Sequence, residues 1–329
     1  MSSEFARISH LAARFASLAP PRLYQAPTDS PSIAIGDDAA VLAHSDRPLV
    51  VTVDAAVEDV HFRRGWMTLG QIASRAVHAA VSDIAAMGAS VKDASAGVLF
   101  ALGIPRDFDD DDFASLIDGL ALACRALGAP VLGGNLTASP SLQISTTVLA
   151  RAIGAPVRRS GARPGDHVYI TGPLGGCAIG LATLLAGRQS EPLLAPFVQR
   201  FITANARTDL AERVSGCASA CIDVSDGLAA DAAHLARASA VRVVLERERL
   251  PLLPSSEWAA TALALNAHHC ALSSGEEYEL LFTSNAPALA FATQIGVVED
   301  GEGVWLSDQG ARDRLDQEPS LAGWDHFRE

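Results

Sequence analysis

The sequence predicts two domains of α/β architecture, or of α+β architecture with mixed sheets. Three observations predict it. The chain has 329 residues, more than one hydrophobic core usually serves. Its first half alternates apolar β-branched runs with segments of helical spacing, the pattern of strands and helices packed in layers. A turn-rich, basic stretch then interrupts it, Gly154-Ala155-Pro156 followed by Arg158-Arg159-Ser160-Gly161-Ala162-Arg163-Pro164-Gly165-Asp166. The boundary belongs near the start of that stretch, which gives domains of residues 1–154 and 155–329.

The elements follow in order. Ser3-Glu4 precede Phe5, Ile8, Leu11, Phe15 and Leu18; that spacing behind a capping residue predicts a docked first helix, not an export signal. Leu49 to Val53 is a strand that ends at Asp54. Leu69 to Met87 is a helix, with Ile72, Ala76, Ala79, Ala80 and Asp83 along its length. Ala94 to Ile104 reads as a strand, Asp110 to Leu127 as a helix and Pro130 to Leu132 as a short strand. Ser141 to Ile153 alternates as a half-buried strand does. The second half opens on a strand, His167 to Thr171. A glycine turn, Gly172-Pro173-Leu174-Gly175-Gly176, leads into a helix from Ala178 to Leu185. Further helices are predicted at Pro192 to Ile202, Asp209 to Ser215 and Leu228 to Ala238. Strands are predicted at Val241 to Leu245, Glu279 to Thr283 and Val304 to Leu306.

Composition excludes several function classes. The net charge of −13 argues against a nucleic-acid partner, which calls for a basic stripe. It leaves nucleotides open, because metal ions mediate between carboxylates and phosphates. The five cysteines, Cys124, Cys177, Cys217, Cys221 and Cys270, are scattered and form no C-x-x-C pair. They read as free thiols in a reducing cytoplasm. No apolar run approaches the ~18–20 residues that span a bilayer. Lys92 is the only lysine, and it does not stand in G-x-x-x-x-G-K-[ST]; the chain therefore has no P-loop and no protein-kinase lysine arrangement. Phosphate handling falls to metal ions, backbone amides and arginine.

Acidic residues beside small polar ones recur at strand ends. Gly36-Asp37-Asp38 follows Ile33-Ala34-Ile35 and by itself signals a turn. Thr52 and Asp54 are two apart on a strand, so they share a face. His61 lies on the loop that follows, and a lone histidine is more often structural. Asp83 stands in the nearly apolar helix Ala79 to Gly88, where a carboxylate needs a partner; a hydrogen bond or a metal would supply it. Gly133-Gly134-Asn135 is a loop or a place where backbone approaches a ligand. Gly175-Gly176 is a tight turn or an anion site at a helix start. In Asp223-Val224-Ser225-Asp226-Gly227, Asp223 and Ser225 share a face and Asp226 can cap the next helix. Gly275-Glu276-Glu277-Tyr278-Glu279 is a solvated turn or a substrate-binding acidic loop. Clustered carboxylates repel unless a cation sits among them, and Mg²⁺ is the hard cation that brings phosphates with it.

In this order the segments resemble the thiamine-monophosphate kinase family, within the superfamily typified by aminoimidazole-ribonucleotide synthetase. The resemblance covers nearly the whole chain. It is carried by the opening Glu4-Phe5, Ile35-Gly36-Asp37-Asp38-Ala39-Ala40-Val41-Leu42, Asp54 with Val57-Glu58-Asp59-Val60-His61-Phe62, and Ser82-Asp83-Ile84-Ala85-Ala86-Met87-Gly88-Ala89. Arg159-Ser160-Gly161-Ala162, Asp223-Val224-Ser225-Asp226-Gly227-Leu228, Gly275-Glu276 with Tyr278-Glu279-Leu280, and Gly323-Trp324-Asp325-His326-Phe327 complete it. It implies a two-domain aminoimidazole-ribonucleotide synthetase-like fold, each domain a mixed sheet packed with helices. The first domain would bind ATP and Mg²⁺ and dimerise; the second would complete the active-site cleft. The implied activity is ATP-dependent phosphorylation of thiamine monophosphate to thiamine diphosphate, by direct in-line transfer in a cytoplasmic homodimer. Several Mg²⁺ ions would be held by Asp38, Thr52, Val53 (through its carbonyl), Asp54, Asp83, Asn135, Asp223 and Asp226. Gly134, Asn135, Arg159 and Ser225 would contact the nucleotide, and His61, Glu276 and Trp324 the substrate. No residue is assigned as a covalent nucleophile or base, since a phosphate oxygen is already an anion.

The chain departs from the usual family pattern in places. Val53 stands where threonine is common, Asn135 replaces an aspartate, Ala80 an asparagine, Arg75 a lysine, Ser274 a glycine and Glu277 an aspartate. Two alternatives follow: a diverged paralogue acting on another small phosphate ester, and a nucleotide-binding protein that has lost catalysis.

Overall fold

A computed structural model describes residues 10, 13–15, 39–40, 42, 44–93 and 95–323. Most of the expected first helix, together with Asp37, Asp38 and Trp324, lies outside the described residues. The chain divides into two compact units. The first takes the chain up to Ile84 and Ala89–Pro156; the second takes Ala85–Gly88 and the chain from Val157 onward.

The first unit is a mixed sheet with two long helices. Its strands are β1 (Leu49–Val57), β2 (Ala89–Ser90), β3 (Gly97–Ile104), β4 (Val131–Ala138) and β5 (Gln143–Ala152). The order is β1-β5-β3-β4, with β2 also on β5. Only β3 and β4 run parallel, and the helix between them makes the crossover that a parallel pair requires. Helices α1 (Leu69–Ala86) and α2 (Asp110–Leu127) supply the core. Ile72, Val77, Ile84, Leu116, Ile117 and Leu120 are fully buried, as are Val98, Ile144 and Val148 of the sheet.

Sequence chemistry sets the ends of α2. Asp109 caps it by accepting from the Asp112 amide at 2.8 Å, and Asp110, Asp111 and Asp112 favour the positive end of the helix dipole. Gly128, at φ 67°, closes it with bonds to Cys124 and Arg125 carbonyls. The predicted bounds of this helix are the observed ones. β4 differs: it runs through Gly133-Gly134-Asn135, so that segment is strand, not loop. Gly134 is needed because a Cβ there would overlap the Phe100 carbonyl oxygen of β3.

The second unit holds β6 (His167–Ile170), α3 (Gly176–Leu185), α4 (Ala195–Ile202), α5 (Ala211–Ser215), β7 (Ala220–Asp223), α6 (Leu228–Ser239) and β8 (Arg242–Glu246). After them come α7 (Ser256–Ala262), α8 (Ala267–Ser273), β9 (Leu280–Ser284), β10 (Thr293–Glu299), β11 (Gly303–Asp308) and β12 (Ala311–Arg314). The seven strands are ordered β12-β11-β8-β10-β6-β9-β7, with β8 and β11 parallel. Leu228, Ala232 and Leu235 of α6 share a core with Val168, Ile222, Val243, Leu281 and Ile295 of the sheet. α7, α8, β10 and β12 were not predicted. The mixed α/β class holds in both units. All five cysteines are free, and all but Cys217 are buried. Among the described residues no helix is long and apolar enough to cross a membrane.

Candidate active site

In the first unit the chemistry gathers where β1 meets α1. The Thr52 hydroxyl donates to Asp83 Oδ2 at 2.6 Å. That bond answers the need for a partner deduced for Asp83, but with a neutral group: it satisfies a lone pair without cancelling the charge. Asp54 lies two residues along β1 on the same face, and its Oδ1 accepts from the Ala55 amide at 2.6 Å. Val53 points to the other face, two-thirds exposed at 67%. His61 closes the turn after β1. Its Nδ1 accepts from the Val57 amide at 3.1 Å, and its own amide donates to the Val57 carbonyl at 2.9 Å. With Nδ1 accepting, the neutral ring carries its proton on Nε2. Glu58 anchors this turn, pairing with Arg64 and accepting from the Leu142 amide at 2.9 Å.

Asn135 lies elsewhere in that unit. The register aligns it with Ala101, Ser145 and Ala55, whereas Asp54 lies in the row of Thr146, Phe100 and Gly134. Adjacent rows point to opposite faces, and three strand spacings of ~4.8 Å separate β4 from β1, roughly 14 Å. The sheet thus brings Thr52, Asp54 and Asp83 together and holds Asn135 apart from them.

In the second unit β7 delivers Asp223, buried at 4% exposure, into the turn before α6. The cap foreseen for Asp226 is not made: the residue at the cap position is Gly227, without a side-chain bond. Asp231, one turn into α6, supplies the acceptor instead. Its Oδ2 takes the Ser225, Asp226 and Gly227 amides at 3.0, 3.1 and 3.2 Å. Burial, then the carboxylates of Asp223 and Asp226, push Asp231 up to about 8, against the pull of the backbone donors. Burial is the main cause of the shift, and the neighbouring carboxylates add to it.

Arg159 is exposed on a loop tied at both sides. The Arg158 carbonyl accepts from the Cys221 amide at 2.9 Å. The Ser239 hydroxyl, at the end of α6, donates to the Arg159 carbonyl at 3.2 Å and accepts from the Gly161 and Ala162 amides at 3.1 and 3.2 Å. His234 lies near this loop. Partial burial, then Arg159 and Arg237, hold its pKa down, while Asp226 pulls the other way.

The acidic stretch at Gly275 is not a solvated turn. Glu277 and Glu279 are buried and paired with Arg200 and Arg207. Glu276, between them and the Asp223–Gly227 turn, is only half-buried. The N-terminus of α3, read as a turn or an anion site, is taken by the chain's own Glu277 and Ser274, which accept from the Cys177 and Ala178 amides at 3.0 and 2.9 Å. Sequence reasoning missed Asp231, Ser239, Arg200 and Arg207. Asp231 had a signal, a lone acid in the apolar run Leu228 to Ala233, of the kind that marked Asp83. The arginines had none, because their partners are distant in sequence.

Among the described residues no three His, Cys, Asp or Glu side chains gather into a metal-holding cluster, and Asp38 lies outside them. The donors present are hard oxygens: hydroxyl, amide and carboxylate. That chemistry fits Mg²⁺, which takes one or two carboxylates with water and phosphate oxygens rather than a closed protein cage.

A family model described as AIR synthase related protein, N-terminal domain, matches residues 36–154. The thiamine-monophosphate kinase of Aquifex aeolicus is 35% identical over 304 residues, which span 90% of this chain and 94% of that one. The chain belongs to the thiamine-monophosphate kinase family. Solved structures of the family share its fold. The thiamine-monophosphate kinase of Stenotrophomonas maltophilia K279a superposes with a TM-score of 0.79 at 29% identity, over 94% of this chain and 98% of that one. AaThiL complexed with AMPPCP and TMP superposes with a TM-score of 0.77 at 31% identity, over 98% of this chain and 97% of that one. Of the positions expected to depart from the family pattern, Arg75 and Ala80 are buried in α1. Two others, Ser274 and Glu277, bond each other at 2.8 Å.

Proposed function

We propose that this chain transfers the terminal phosphoryl group of ATP to the phosphate of thiamine monophosphate, giving thiamine diphosphate and ADP. A phosphate oxygen of the substrate forms the new bond to the γ-phosphorus, and the bond from that phosphorus to the bridging oxygen of ADP breaks. One observation carries the reading: a relative alike over 98% of this chain binds an ATP analogue together with TMP.

The chain's own residues position two polyanions. Thr52, Asp54 and Asp83 present oxygen ligands on one patch of the first unit, with Asp38 and the Val53 carbonyl as further ligands; Asn135, on the other face of the sheet, would serve a separate ion. Asp223 and Asp226 do the same in the second unit, at a turn that Asp231 holds. Mg²⁺, when bound there, supplies charge neutralisation for the phosphates. Arg159 takes the role a P-loop lysine plays elsewhere, as a bidentate donor to phosphate. Gly134, Asn135 and Ser225 complete the nucleotide contacts. His61, through Nε2–H, Glu276 and Trp324 meet the substrate, the indole beside its aromatic ring.

The protein acts as a homodimer joined through β1. Among the described residues β1 is an edge strand, and it exposes Leu49, Val51 and Val53 on one face, at 46%, 55% and 67%; an apolar strip of that kind suits a protein contact. A cytoplasmic location accords with the five free thiols.

Purified protein with ATP, Mg²⁺ and thiamine monophosphate yields thiamine diphosphate and ADP, read by chromatography. Turnover confined to another phosphate ester, or ATP binding without turnover on any phosphate ester, refutes the reading.

A further inference from the structure

We propose that Arg200, acting through Glu277, is a positioning residue for Glu276, and that Ser274 and Glu277 work as one coupled pair. The inference rests on the substrate role given above to Glu276. It starts from backbone strain. Glu276 and Tyr278 both stand in the left-handed region, at φ 60° and 53°, which L-residues with a side chain adopt only under restraint.

Two sets of bonds provide that restraint, one on each side of the loop. On the ligand side, the loop is laced to the turn that bears Asp223 and Asp226. The Glu276 amide donates to the Ser225 carbonyl, the Tyr278 amide to the Val224 carbonyl, and the Val224 amide to the Glu279 carbonyl, each at 2.8 Å. On the inner side, Glu277 and Glu279 run into the protein, 1% and 3% exposed, with Tyr278 between them also buried. Arg200 Nε donates to Glu277 Oε2 at 3.0 Å, and Arg200 Nη2 donates to the Glu277 carbonyl at 2.8 Å and to Glu279 Oε1 at 2.9 Å. Arg207 Nη1 and the Thr171 hydroxyl hold Glu279 Oε2 at 2.7 and 2.6 Å. Two arginines thus balance two glutamates out of water. Removing one charge strands another, so the network tolerates one geometry. That geometry fixes the backbone of Glu276 against the Asp223–Gly227 turn.

Ser274 links the network to a rigid element. Its hydroxyl donates to Glu277 Oε1 at 2.8 Å and accepts from the Ala178 amide at 2.9 Å. Glu277 Oε1 also takes the Cys177 amide at 3.0 Å. The first free amides of α3, which would otherwise need water or an anion, therefore grip the loop. Aspartate at 277 is one methylene shorter, and glycine at 274 offers no hydroxyl. The bond between the two side chains needs both residues at once.

Four variants test this: Glu277→Gln, Glu277→Asp, Ser274→Gly and the double variant Ser274→Gly/Glu277→Asp. Each is read by KM for thiamine monophosphate and for ATP separately, and by hydrogen–deuterium exchange at the Glu276 and Tyr278 amides without ligand. In Glu277→Gln, KM for thiamine monophosphate rises about tenfold or more, since small misplacements of a binding group cost that much. KM for ATP moves less, and both amides exchange faster. Glu277→Asp alone shows the same pattern, and adding Ser274→Gly restores KM and exchange toward wild type, a non-additivity that marks direct coupling. Wild-type KM and exchange in Glu277→Gln overturn the positioning role. Equal defects in Glu277→Asp and the double variant overturn the coupling. Should Glu277→Gln not fold, Glu277→Asp carries the first test. If the wild-type protein does not turn over thiamine monophosphate, the substrate reading fails, and exchange still decides whether the network positions the loop.

Discussion

Asp223 is a carboxylate at the end of β7, 4% exposed, close enough to Asp231 to raise its pKa. In the proposed site it is a ligand of a divalent cation that carries the phosphates. Asp223→Asn keeps the size and removes the charge. Thiamine diphosphate formation then falls by about a hundredfold or more, as loss of a preorganised electrostatic contact does, while the thermal midpoint stays near that of wild type. A fully active variant would refute the ligand role. Alternation alone had placed Asp223 and Ser225 on one face. The same reasoning offered a cap for Asp226, and there the structure disagrees: the cap position falls one residue later, on Gly227. Sequence does not say at which residue of the turn the helix begins, and a shift of one position moves the cap to a residue with no side chain.

Asp231 belongs to the scale of elements, since it fastens a turn to a helix. Asp231→Ala leaves three amides without their acceptor and costs about 1–3 kcal/mol for each one that stays unsatisfied. Asp231→Asn retains an acceptor oxygen. Its denaturation midpoint therefore lies between those of wild type and the alanine variant, and equal midpoints for the two variants would show that the carboxylate does not organise the turn. Element bounds were most legible where local chemistry is strong. Asp109 and Gly128 delimit α2 by themselves. They were least legible where glycine sits inside a strand. β4 runs on through Gly133 and Gly134, and β10 was missed around Gly296. In both strands a Cβ at Gly134 or Gly296 would collide with a carbonyl oxygen of the neighbouring strand, Phe100 or Val244. Glycine weakens the sequence signal for a strand, yet close strand approach requires it.

At the scale of the whole molecule, the outer face of β1 bears on assembly. Val51, 55% exposed, lies at the centre of the apolar strip and outside the catalytic groups. In the proposed dimer it is covered, so Val51→Glu would place a charge in an apolar contact. Analytical ultracentrifugation is expected to find a dimer for wild type and a shift to monomer for Val51→Glu. A wild-type monomer, or a variant dimer of unchanged affinity, would refute the β1 interface.

The sequence by itself determined the mixed α/β class, the run of family motifs and the absence of a P-loop lysine. Each of these is a local property, set by periodicity, by residue type or by a few neighbours. Only the tertiary structure decided which acids are available for chemistry. Glu277 and Glu279 look like Glu276 in the sequence, but Arg200, 77 and 79 residues away, and Arg207, 72 residues from Glu279, turn them into internal ion pairs. Thr52 and Asp83, 31 residues apart, become a pair in the same way. A carboxylate's role depends on what neutralises it, and in a folded chain that group comes from wherever packing brings it.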